Sequence, residues 1–128
     1  MGKKFEWQSA HNSGIAAFQG RIGADSIKSI LMDTYYDQSH FFGKHSGRLF
    51  TEVFFPYERI TTIHFQREGD KLVGVTIFTV DGRQVLIGKK GSTHDVYVSP
   101  SKNARFVGIH GTENDDQVLS LGFILADP

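Results

Sequence analysis

The stretch Lys71-Leu72-Val73-Gly74-Val75-Thr76-Ile77-Phe78-Thr79-Val80, then Asp81-Gly82, then Arg83-Gln84-Val85-Leu86-Ile87, sets the fold class. Two runs rich in β-branched and apolar residues meet at an Asp-Gly pair. Asp tolerates, and Gly permits, the positive φ of a tight turn, so the pair reads as a β-hairpin. Just upstream, Glu68-Gly69-Asp70 marks a second turn, which joins residues 59–66 to the first strand. Alternation predicts that Ile60, Thr62, His64 and Gln66 share one face of that segment, and Arg59, Thr61, Ile63 and Phe65 the other.

The same rhythm runs outward in both directions. Residues 25–36 (DSIKSILMDTYY) are long enough for a helix. Their β-branched and aromatic content, and the turn-like Asp37-Gln38-Ser39 behind them, favour a strand that returns through His40-Phe41-Phe42. Gly43-Lys44-His45-Ser46-Gly47 is a glycine-bracketed loop, and residues 48–55 form a strand stopped by Pro56. Residues 88–92 are a loop, 93–98 alternate again, 106–111 are a short strand and 112–117 a polar loop. Residues 118–125 close the pattern, with Leu119, Leu121, Phe123 and Leu125 expected on one face. Short strands spaced by about ten residues, with turn signals between them, indicate an all-β sandwich, barrel or prism. A weak three-fold echo pairs a long hairpin with a Gly-containing loop three times.

Composition narrows the possible functions. With 128 residues, the chain suits one domain. Fourteen basic residues balance fourteen acidic ones, which argues against a nucleic-acid or anionic-membrane footprint. The absence of cysteine excludes disulfides, thiol nucleophiles and thiolate-bound zinc. No apolar run approaches the ~18 residues of a spanning helix. The start, Met-Gly-Lys-Lys-Phe-Glu-Trp, has no apolar signal region. The expectation is a single domain over residues 1–128, cut from a longer secreted chain behind an added Met-Gly.

Few residues are arranged for chemistry. There is no Gly-x-Ser-x-Gly elbow for a hydrolytic triad and no His-Glu-x-x-His for a metal. Glu113-Asn114-Asp115-Asp116 gathers oxygen ligands but lacks the spacing of a calcium loop, so a solvated acidic loop is expected and no metal. Gly88-Lys89-Lys90-Gly91 has no following helix to help hold an anion, and reads as a solvated turn. The better constellation is Gly20-Arg21-Ile22-Gly23-Ala24-Asp25, read as a tight loop entering a strand. It offers free backbone N–H groups, glycines that permit close approach, and one carboxylate. A carboxylate accepting from two sugar hydroxyls, with amides donating to the same oxygens, makes a polyol clamp. The competing reading is that Asp25 only caps a turn. Hairpin geometry brings Gly43, Lys44 and His45 to the same end of the sheet.

At these residues the chain resembles the jacalin-related lectins. Ala24-Asp25-Ser26-Ile27, with Tyr35-Tyr36 and the Gly43–Gly47 loop, is similar to that family's Val-Asp-Ser-Ile strand and Gly-Gly loop. Phe55-Pro56-Tyr57-Glu58-Arg59-Ile60, Val80-Asp81-Gly82-Arg83, Val107-Gly108-Ile109-His110-Gly111 and Leu121-Gly122-Phe123-Ile124-Leu125 follow in family order. The narrower resemblance is to lectin domains appended to secreted vibrio cytolysins and biofilm-matrix adhesins. The resemblance implies a β-prism of three four-stranded Greek-key sheets with pseudo-three-fold symmetry. It also implies metal-free and cofactor-free binding of mannose-containing, N-glycan-type glycans, adhesion to glycoproteins or cell surfaces, and no catalysis. The family's binding loop is Gly-x-x-x-Asp beside a Gly-rich loop. At the C-terminal loop the family Asp falls on Leu119, and the N-terminal Gly-Gly strand is read as short or missing, so the principal site looks lost. The expected carbohydrate site is therefore Asp25 with Gly23 and Ala24, faced by Gly43, Lys44 and His45. The alternative function is a non-catalytic structural or protein-interaction domain with a decayed sugar site, contacting partners through Trp7, Tyr35 and Tyr57.

Overall fold

The structure is a computed structural model that describes residues 2–10, 14–55, 58–101 and 103–126. Its strands in chain order are β1 (Lys3–Gln8), β2 (Ile15–Ile22), β3 (Ile27–Thr34), β4 (Phe42–Gly43), β5 (Arg48–Val53), β6 (Ile60–Glu68), β7 (Lys71–Thr79), β8 (Gln84–Gly88), β9 (Thr93–Val98), β10 (Arg105–Glu113) and β11 (Val118–Ala126). They form three antiparallel sheets. Sheet I has the order β1-β10-β11, sheet II β4-β3-β2-β5, and sheet III β8-β7-β6-β9. The all-β prism is as expected, with one correction: among the described residues sheet I has three strands rather than four. β1 pairs with β10 along its whole length, from Lys3↔Glu113 to Gln8↔Gly108.

The three-fold echo is written in the bulges. Each sheet is built on a long hairpin: β2–β3, β6–β7 or β10–β11. In the first strand of each, one residue drops out of the pairing: Ala16, Thr61 and Val107. In the second strand the omitted residues are Lys28, Val73 and Leu119. A bulge shifts the inward face by one residue. This overturns two facing expectations. Ile60 and Ile63 are both buried, because Thr61 is skipped between them. Val118 and Leu121 are buried rather than Leu119 and Leu121, because Leu119 is the skipped residue. The Asp81-Gly82 turn also differs from a two-residue hairpin. It is a four-residue loop in which Gly82 takes a positive φ, of 90°.

The three inward faces meet in an aromatic cluster. Phe18 packs edge-on to Phe54 and Phe106, with centroids 5.8 and 5.1 Å apart, and Phe106 lies 4.9 Å from Phe123. Burying each such ring contributes ~1.5–3 kcal/mol. The sheets join at their edges. Phe5 of β1 stacks on Phe42 of β4 at 4.4 Å, which closes sheet I onto sheet II. Sheet II meets sheet III where Arg83, just before β8, reaches the β5 backbone at Val53 O, 2.7 Å away. The same guanidinium pairs at 2.6 Å with Glu58, whose side chain is 1% exposed. Every residue of β9, at the remaining edge, is exposed.

Candidate functional site

Antiparallel pairing fixes which loops share an end. The hairpin turns 23–26, 69–70 and 114–117 and the edge connections 44–47 and 89–92 gather at one end of the prism. Two exposed ion pairs link them: Lys71 Nζ to Asp25 Oδ1 at 3.3 Å, and Lys44 Nζ to Asp116 Oδ1 at 3.8 Å.

The sequence placed Gly20 in a loop, but it lies inside β2. A Cβ there would stand 2.1 Å from the Ser29 carbonyl, so this glycine permits tight strand packing. The true turn is Gly23 to Ser26. Its first amide, expected to be free for a ligand, donates instead to Ser26 O at 2.9 Å. The amides of Ala24 and Asp25 find no acceptor among the described residues. The Asp25 side chain is 59% exposed. Beside this turn opens a concavity of about 370 Å³ lined by Ile22, Gly23, Ala24, Arg48, Gly88 and Lys89.

The facing loop is turned away from this turn. Gly43 has φ of 100°, a conformation that favours glycine, and its amide donates to Glu113 Oε1 at 3.1 Å. The Lys44 amide donates to Lys28 O at 2.7 Å, and its ammonium faces Asp116. The exposed His45 ring stands edge-on to Phe41 at 5.3 Å. Gly47 and Lys28 come between the two groups: a Cβ on Gly47 would be 2.6 Å from Ile22 O and 3.4 Å from the Lys28 Cγ. The structure therefore puts Gly23 and Ala24 in the lining of one concavity, with Asp25 next in the chain and paired to Lys71. It sets Gly43 against Glu113, Lys44 against Asp116 and His45 against Phe41 instead.

Arg48, Lys71 and Lys89 are the residues that sequence reading missed. Lys89 belongs to the Gly88-Lys89-Lys90-Gly91 loop, noticed as an anion cradle but read as a solvated turn. What sequence could not show is that this loop crosses to the Asp25 turn. The acidic loop is a closed turn: Asn114 Oδ1 accepts from the amides of Asp116 and Gln117 at 2.7 and 2.9 Å. Among the described residues no group of three or more His, Asp or Glu side chains is placed to hold a metal.

Two other depressions lie on outward sheet faces. One of about 420 Å³ runs over Lys4, Glu6, His110, Thr112 and Ser120. It is larger than the loop-end concavity, but its backbone amides belong to strand ladders, which leaves fewer donors for a ligand. The other, about 280 Å³, is lined by His64, Gln66, Thr76, Phe78, Lys90 and His94. His64 and His94 stack there at 4.4 Å. Burial, and then the neighbouring His94, hold His64 below the usual imidazole range.

No family model matches the chain, and no curated protein matches it. Solved structures do. A prostate-specific WGA16 glycoprotein lectin superposes with a TM-score of 0.87 at 22% identity, over 99% of this chain and 92% of the other. The Calsepa lectin in complex with a biantennary N-glycan gives 0.73 at 16% identity, over 100% and 91%. A mannose-binding jacalin-related lectin from Ananas comosus gives 0.71 at 16% identity, over 99% of both chains. The fold is the β-prism of the jacalin-related lectins.

Proposed function

We propose that this β-prism is a carbohydrate-binding domain that takes mannose-containing, N-glycan-type glycans at its loop end without a metal ion. One observation carries the reading: the turn that lines the loop-end concavity with Gly23 and Ala24 also carries the exposed Asp25 carboxylate and two unengaged amides, those of Ala24 and Asp25. Vicinal pyranose hydroxyls can donate to that carboxylate and accept from the amides, while Arg48 and Lys89 donate from the opposite wall. Among its structural relatives, one is described as mannose-binding and another was solved with an N-glycan, which supports the choice of sugar. The reading is of binding without catalysis. Glycoside hydrolysis needs two facing carboxyl groups, and the concavity lining contributes none. In this reading the domain acts outside the cell, in adhesion to glycoprotein surfaces, where avidity makes up for a weak single site.

Asp25→Asn and Asp25→Ala, on a glycan array, should lower mannoside binding at least roughly tenfold, the loss of one charge-assisted contact. The thermal melt should stay near wild type, because the side chain is solvent-exposed. Undiminished mannoside binding in both variants would reject the Asp25 site. A second reading, a protein-contact domain, draws on exposed aromatics: Tyr36 is 80% and Tyr35 52% exposed. Trp7 is half-buried and Tyr57 lies outside the described residues. A blank array with the wild-type protein would favour that second reading.

A further inference from the structure

We propose that the loop-end concavity takes a mannoside that carries a phosphate or sulfate ester on its primary hydroxyl. The inference rests on the sugar-binding reading above and names the kind of sugar selected there. The concavity, about 370 Å³, falls within the size range of small-ligand sites, roughly 300–1,000 Å³. Its charge is one-sided. Arg48 and Lys89 line it, and among the described residues no acidic side chain does. A third cation borders it. A Cβ on Gly23 would stand 2.8 Å from the Lys28 Cε, so the end of that lysine lies across a lining residue. The chain as a whole is neutral, with fourteen basic and fourteen acidic residues, so three neighbouring cations are a local excess. Like charges held together repel, and an anion relieves that repulsion.

The acids at this end of the prism are engaged elsewhere. Asp25 pairs with Lys71 at 3.3 Å, Asp116 with Lys44 at 3.8 Å, and Asp95 with Arg67. Glu113 accepts from the Gly43 amide at 3.1 Å, and Glu68 from the Ser92 amide at 2.8 Å. Among the described residues Lys28, Arg48 and Lys89 form no ion pair. The fold holds them together from three strands of two sheets. Lys28 is the bulged residue of β3, Arg48 opens β5 opposite Ile22, and Lys89 follows β8 with its amide tied to Val73 O at 3.2 Å. A phosphate or sulfate monoester matches this donor set, because its three outer oxygens accept charge-assisted hydrogen bonds. The planar guanidinium of Arg48 can give two parallel N–H bonds to one such group, and each lysine adds a point charge. The primary hydroxyl is the one that stands off the ring on its own carbon. An ester there reaches towards Arg48 and Lys89 while the ring hydroxyls stay at Asp25 and at the Ala24 and Asp25 amides.

Titration calorimetry of the intact chain tests the proposal, with methyl mannoside and the same sugar esterified by phosphate or by sulfate at its primary hydroxyl. At about 0.05 M salt at least one ester should bind roughly tenfold more tightly than the plain sugar, and the larger gain tells phosphate from sulfate. At about 0.5 M salt most of that gain should vanish, because the cations are exposed to screening. Arg48→Gln and Lys89→Gln, each first checked for a native spectrum, should lower the ratio of ester to plain affinity by at least about fivefold. A merely structural loss would lower both affinities and keep the ratio. Plain mannoside binding with no gain from either ester would overturn this inference and leave the sugar site standing. So would a gain that survives both substitutions, or inorganic phosphate and sulfate binding as tightly as the esterified sugars, the mark of an unselective anion patch. Failure of plain and esterified mannosides alike would remove the sugar-binding reading, and this inference with it.

Discussion

Where sheet II meets sheet III, Arg83 threads the seam. It pairs with the buried Glu58, donates to Val53 O, and lies over the rings of Phe54 and Phe55 with centroids at 5.3 and 6.0 Å. Where sheet III meets sheet I, Tyr97 is 41% exposed, and among the described residues the Asp95 carboxylate pairs with its neighbour Arg67 alone. The positions are equivalent by symmetry, but the chemistry is not. In sheets I and II a glycine, Gly111 or Gly20, faces a phenylalanine on the edge strand, Phe5 or Phe50. In sheet III the order is reversed, with Phe65 on the inner strand and Asp95 on the edge. An inward charge on an edge strand discourages indiscriminate pairing. The contrast teaches that seams, more than sheets, distinguish the three repeats.

The largest expected effect lies at the closed seam. Arg83→Ala leaves the Glu58 carboxylate buried without its cation, which should cost about 3 kcal/mol and lower Tm by roughly 10 °C in calorimetry. A loss below ~1 kcal/mol would show that the seam is held by its apolar contacts alone. At that seam, Tyr97→Ala should cost less than about 1 kcal/mol in urea unfolding, since β9 is exposed along its length. A cost as large as that at Arg83 would mean that the Tyr97 ring is covered in solution.

The smallest effect is a pH dependence, and it reports on β9 through His94. The folded state holds His64 below the ordinary imidazole value, so the unfolded chain takes up that proton first as pH falls past about 6.5. The stabilisation is complete above that pH and declines as pH falls through the lower, folded value. Melting curves from pH 8 to 5 should show this decline, and His64→Gln should flatten it. An unchanged slope in the variant would assign the decline to other groups.

The repeating hairpins were legible because a strand's alternation is local: a residue and its neighbour two along report the same face. The bulges at Thr61 and Leu119 were not, because a skipped residue looks like any other until a partner strand is aligned beside it. The candidate site divides in the same way. Asp25 and the turn it ends were visible as an acid behind a glycine. That the Gly23 amide is engaged by Ser26, and that Lys44 faces Asp116 in place of Asp25, depends on residues distant in sequence.

The sequence by itself determined an all-β chain of hairpins, the turn positions and a glycine-lined carboxylate, since each follows from side-chain period and backbone freedom within a few residues. The tertiary structure alone decided which loops share an end, which amides remain available, and which residues the bulges turn inward. Those properties belong to pairings between strands far apart in the chain, and no local pattern carries them.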